Sequence, residues 1–141
     1  ISFDPTTGLS SLCQPPPPSP PAPSELKFHT CDAQYAGSDG NFYFKDGSVA
    51  VKLEHSGNNR DRNHWDTYTI PPPNLGFFRI VTSSGDGWCI DKILLGGKAV
   101  DMSDCRAGGV WVDDPCSGSY DRECVGNELK IDGHTMKVTN C

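Results

Sequence analysis

Two sets of side chains in this sequence could do chemistry. The first carries oxygen: Asp39, Asp61, Asp66 and Asp86 all fall in or beside Gly- and Asn-rich segments. Calcium takes about six to eight oxygen ligands from carboxylates, carbonyls and water, and neighbouring loops can pool them. Asp39, Asp66 and Asp86 are the expected calcium set. The competing reading makes them solvated turn residues, because Asp is a frequent turn former. A more diffuse acidic group, Asp101, Asp104, Asp113 and Asp114, follows later in the chain.

The second set carries sulfur. Seven cysteines occur in 141 residues, none spaced Cys-x-x-Cys. In so short a chain that density predicts disulfides and an oxidising compartment. Cys31, Cys89, Cys105, Cys116, Cys124 and Cys141 would give three bridges, with fifteen pairings open. Cys13 is left over, to bridge chains or stay unpaired. The spacings match no zinc ribbon or finger.

Catalytic patterns are missing from the sequence. No Gly-x-Ser-x-Gly elbow, His-Glu-x-x-His pair or phosphate-cradling Gly loop before a helix occurs. His29, His55, His64 and His134 are scattered, and each is expected to be a surface or packing residue. A non-enzymatic protein is therefore expected. The net charge of −6 argues against nucleic acid and against general attraction to anionic membranes. No apolar run is long enough to cross a bilayer. Opening at Ile1 rather than Met is expected of a mature form that has lost an export signal.

The elements that must position these groups are strands. Runs rich in β-branched and aromatic residues lie between clusters of Pro, Gly, Asn and Ser, and no apolar 3.6-residue period is sustained. Strands are expected near residues 26–31, 41–44, 48–54, 66–70, 76–82, 88–95, 98–102, 110–112, 128–131 and 135–140. Lys45-Asp46-Gly47 would be the short hairpin connection between the second and third strands, with Asp46-Gly47 as its turn pair. In the run from Trp88, alternation places Ile90 and Leu94 with the Trp, and Asp91, Ile93 and Leu95 on the reverse face. Beyond Leu95 the chain becomes Gly-rich with close-set cysteines, so bridges are expected to replace a core there. Trp65 adjoins the long polar loop 55–64 and would suit a membrane interface or a sugar if exposed. Packed against Arg60 or Arg62 it would be merely structural, which is the stronger expectation; exposed, it forms with Arg60 and Arg62 the expected partner-binding set.

Several of these segments resemble the PLAT β-sandwich. They are Ala36-Gly37-Ser38-Asp39-Gly40-Asn41, Ser48 to Leu53, and Gly57-Asn58-Asn59-Arg60-Asp61-Arg62. Asp66-Thr67-Tyr68-Thr69-Ile70, Leu75-Gly76 with the aliphatic strand after it, and Trp88-Cys89-Ile90-Asp91-Lys92-Ile93 complete the set. The likeness covers about residues 27–95. It implies an all-β antiparallel sandwich whose end loops often bind calcium, and calcium-dependent docking on lipid or protein as an alternative function.

The N-terminal region reads differently. Residues 1–13 would be an extended assembly arm, with apolar Ile1, Phe3, Leu9 and Leu12 available for strand addition to a neighbour. Residues 14–25 contain Pro15, Pro16, Pro17, Pro18, Ser19, Pro20, Pro21 and Pro23. Proline fixes φ and lacks a donor, so a polyproline II spacer of roughly 30 Å is expected. The run resembles those of hydroxyproline-rich glycoproteins in green algal and plant walls, which implies hydroxylation and O-glycosylation at these residues. Residues 26–141 would form one disulfide-braced domain. The expected function is a secreted, non-enzymatic structural or adhesive glycoprotein subunit at a cell surface, wall or matrix. Its partners would be further copies of itself or other extracellular proteins and glycans, with a membrane reached only through calcium.

Overall fold

In the computed structural model, residues 24–72, 76–83, 86–114, 116 and 124–141 are described here. The expected arm, Cys13 and the proline run up to Pro23 lie outside them. All regular elements among the described residues are strands: β1 (Ser24–Thr30), β2 (Phe42–Asp46), β3 (Val49–Lys52), β4 (Trp65–Ile70) and β5 (Phe77–Thr82), then β6 (Trp88–Leu95), β7 (Lys98–Ala99), β8 (Val110–Val112), β9 (Glu128–Asp132) and β10 (Lys137–Val138). They form two antiparallel sheets. The first runs β4-β1-β6-β7, with β8 also paired to β6; the second runs β10-β9-β5-β2-β3. The expected all-β sandwich is the fold.

Alternation drives the packing. Strand β4 alternates exposed and buried without a break, sending Asp66, Tyr68 and Ile70 inward. Leu26, Phe28, Trp88 and Ile90 from one sheet meet Phe42, Phe44, Phe78 and Ile80 from the other in a single core. Trp88 sits edge-on to Phe28 and Phe42, each ring centroid 5.0 Å away, and its indole N–H donates to Thr30 Oγ1 at 2.8 Å. Burying one aromatic of this size stabilises the fold by about 2–3 kcal/mol.

Three expectations are corrected by the strand geometry. In β6 the buried residues are Trp88, Cys89, Ile90, Ile93 and Leu95, with Ile93 and Leu95 joining Trp88 and Ile90 in the main core, whereas Leu94 is only half-buried. The cause is a bulge: Thr30 pairs with Ile90 but His29 pairs with Lys92, so Asp91 is an extra residue that inverts the alternation after it. The hairpin between β2 and β3 turns later than expected, because Lys45 and Asp46 still pair, with Ala50 and Val49, and Gly47, at φ +60°, begins the two-residue connection. Finally, the chain after Leu95 does build core. Val110, Val112, Leu129, Ile131 and Val138 are all buried in the same cluster. Strand β9 is an interior strand of the second sheet, paired to both β5 and β10.

Three disulfides brace this frame: Cys31–Cys89, Cys105–Cys141 and Cys116–Cys124. They place the domain in an oxidising environment. The first joins β1's end to β6. Gly109, at φ +113°, lies against it, where any Cβ would overlap the Cys31 sulfur.

Candidate functional site

Strands β1, β4 and β6 bring residues 31–41, 53–64 and 86–87 to one end of the sandwich. Backbone bonds fasten them together. Cys31 N donates to Cys89 O and Cys89 N to Ala36 O, both at 3.0 Å, and Ser38 N donates to Arg60 O at 3.0 Å. Gly37 is required here, since a Cβ would stand 2.7 Å from the Arg60 carbonyl oxygen. Ser38 Oγ donates to Asp86 O at 2.7 Å, and Asp39 N to Asp86 Oδ2 at 2.6 Å.

Arg60 is the pin of this end. Expected on the surface as a partner-binding residue, it is only 6 % exposed, because its side chain turns inward between Leu53, Gly40 and Tyr68. Nη1 donates to Leu53 O at 2.8 Å and to the Tyr68 hydroxyl at 3.2 Å, while Nη2 donates to Gly40 O at 2.7 Å. The guanidinium carbon lies 5.3 Å from the Phe42 ring centroid and 5.7 Å from that of Trp88, within cation–π range. Its Nε is buried with no partner among the described residues. The backbone at Arg60 is left-handed, φ +57°. Its N–H donates to Asp66 Oδ2 at 2.8 Å.

The expected calcium set is divided by this arrangement. Asp66 is 4 % exposed, one oxygen held by the Arg60 N–H and the other 2.5 Å from His55 Nε2. Asp39 and Asp86 lie side by side at the surface, but one Asp86 oxygen is committed to the Asp39 N–H. Among the described residues, no group of three or more His, Cys, Asp or Glu side chains could hold a metal ion. Asp39 also lines a cleft of about 250 Å³, together with Ser38, Gly57, Asn58, Asn59, Arg60 and Asp61. The Asn59 oxygen there already accepts from His55 N and from the Tyr68 hydroxyl. Asp66 is thus a strut, and the residues present do not fit the expected ion set.

His55 has a defined charge state for a geometric reason. Its Nδ1 is 2.8 Å from the Ser56 carbonyl oxygen and its Nε2 faces the Asp66 carboxylate. Both partners only accept, so both ring nitrogens must carry protons. The Ser56 carbonyl first, and Asp66 second, raise the His55 pKa above 6.5. Burial pushes the Tyr68 phenol up to about 12, so it stays neutral as donor and acceptor. Because the folded pKa of His55 exceeds the unfolded one, its stabilisation is complete below pH 6.5 and is lost as pH rises through the raised value. Thermal melts should therefore show a decline in Tm above pH 6.5 in the parent chain that His55→Gln lacks. Parallel profiles would refute the assignment.

The other expected binding residues are exposed. Arg62 pairs with Asp32 at 2.9 Å on the surface. Trp65 is 47 % exposed and its ring lies 5.1 Å from that of His29. Sequence reasoning missed Tyr35, which is 64 % exposed at φ +62° four residues after Cys31. An aromatic followed by Ala-Gly at a loop was its one available signal.

Fold and site together define a disulfide-braced antiparallel β-sandwich with its polar loops locked at one end and aromatic side chains turned outward there. No protein-family model and no curated protein matches the chain. A solved structure to which it is similar is the alpha toxin from Clostridium absonum: 24 % identity, a TM-score of 0.46, and coverage of 65 % of this chain and 30 % of that one.

Proposed function

We propose that this chain is a secreted, non-enzymatic structural or adhesive glycoprotein subunit. Its sandwich is the binding block, and residues 1–23 link subunits or attach them to a matrix. One observation carries the reading: the polar groups at the loop end are spent on one another, leaving Trp65 and Tyr35 exposed on a braced frame. Rigid, half-exposed aromatics give large contact area at low entropic cost and suit glycan or protein surfaces. Calcium-dependent docking is the second reading; with Asp66 committed inside, it would rest on the Asp39 and Asp61 carboxylates at the end cleft alone.

Light scattering on three chains separates the two readings: the full chain, a chain lacking residues 1–23, and Trp65→Ala, each with calcium and with chelator. The structural reading predicts that deletion abolishes self-association and that Trp65→Ala weakens it by about ten-fold, with Tm unchanged. Calcium would make no difference. Association that survives the deletion removes this reading; association seen only with calcium installs the second.

A further inference from the structure

The outer face of the second sheet carries a line of positive charge that the loop-end reading does not use. Lys130 of β9 is directly opposite Arg79 of β5, and Arg79 is directly opposite Lys45 of β2. Three cations thus sit in one row across three adjacent strands, about 4.8 Å apart from strand to strand. Like charges directly opposite each other on a sheet oppose folding. The chain as a whole has 18 acidic and 12 basic residues, so a central row of bases without an acid runs against its composition. Arg79 bonds Glu128 at 2.7 Å, whereas Lys45 and Lys130 form no ion pair among the described residues.

The residues beside the row narrow the partner. Along β5, Phe77 on one side of Arg79 is 63 % exposed, and on the other side Val81 stands opposite Tyr43. Carboxylates bound the row on both flanks, Asp132 opposite Phe77 and Glu128 opposite Val81. A planar anionic membrane would press on those carboxylates as well as on the cations. A linear polyanion lying across the strands meets only the cations, with the apolar faces of its sugar rings beside Tyr43 and Phe77. We propose that this face binds a linear acidic polysaccharide, aligned with the Lys130–Arg79–Lys45 row and separate from the loop end.

The test is binding of the full chain to dextran sulfate and to polygalacturonate, with neutral dextran and phosphatidylserine vesicles as comparisons, by affinity electrophoresis and vesicle sedimentation. Both acidic polysaccharides should bind and neutral dextran should not, with affinity falling as salt rises. The double variant Lys45→Gln/Lys130→Gln should lose about ten-fold in affinity. Lys92→Gln/Lys98→Gln, the same charge change at exposed positions on the other sheet, should lose nothing. Removing the cross-strand repulsion should leave the Tm of the first variant unchanged or higher, so lost binding cannot be blamed on lost fold. Equal weakening in both double variants, or firmer binding to the vesicles than to either polysaccharide, would overturn the proposal.

Discussion

Arg60→Ala is expected to cost about 3 kcal/mol of stability and roughly 12 °C of Tm, an effect far beyond that of an ordinary loop arginine. Truncation removes the donors serving the Leu53 and Gly40 carbonyls and the Tyr68 hydroxyl at once. Each buried acceptor left without a partner costs about 1–3 kcal/mol. One effect opposes this, since a buried cation with an unpartnered Nε gives back its desolvation cost when it is removed. The loss of two carbonyl partners, the phenol partner and contact with Phe42 and Trp88 outweighs that return. Arg60→Lys should recover less than half, because one ammonium cannot fork between Leu53 and Gly40. Arg60→Gly separates side chain from backbone: it relieves the left-handed φ, worth about 1 kcal/mol, but restores no donor. Urea unfolding of the three variants decides the matter. If Arg60→Ala falls within about 0.5 kcal/mol of the parent, the guanidinium is no pin.

The second large effect concerns the bridges, whose contributions should follow the length of chain each closes. Cys31–Cys89 spans 58 residues, Cys105–Cys141 spans 36 and Cys116–Cys124 spans 8. Loop-closure entropy then predicts losses of about 4.2, 3.8 and 2.5 kcal/mol on paired Cys→Ala replacement. Cys31 and Cys89 add a packing term, because both are buried and Gly109 is moulded to their sulfurs. The Cys31→Ala/Cys89→Ala chain should be the least stable of the three, by at least about 1.5 kcal/mol relative to Cys116→Ala/Cys124→Ala. Denaturant midpoints at fixed pH give the order directly. A reversed order would mean that the native frame, rather than the unfolded chain, carries the bridges' effect.

Much of the framework was legible because strands announce themselves by residue type and by the Gly, Pro and Asn clusters between them. All ten strands among the described residues fall on expected segments, with ends displaced by a few residues. The pairing partners were not legible. Nothing local says that β9 inserts beside β5, nearly fifty residues away, and without that contact Leu129 and Ile131 read as a lone hairpin. The bulge at Asp91 was hidden for a related reason, since an extra residue is defined only against its partner strand. Arg60 escaped because a polar loop of Asn, Arg and Asp carries no mark of burial. Its depth comes from Gly37 and Ser38 closing over it from a distant part of the chain. Trp65 was legible as a residue beside a long loop, but its exposure was not, because packing against Arg60 or Arg62 is the stronger expectation and Arg60 turns inward instead.

Strand β1 has a further consequence. Ser24 pairs with Ile70 at one pole of the sandwich, while His29 pairs with Trp65 at the other, roughly 17 Å away. Tension entering at Ser24 therefore pulls lengthwise on a strand gripped by β4 on one flank and β6 on the other. Its hydrogen bonds are loaded in shear, many together, rather than peeled one after another. The covalent link from Cys31 to Cys89 then halts any slippage at the far pole, so a domain held by its leading segment resists extension while its aromatic end stays turned away from the anchor.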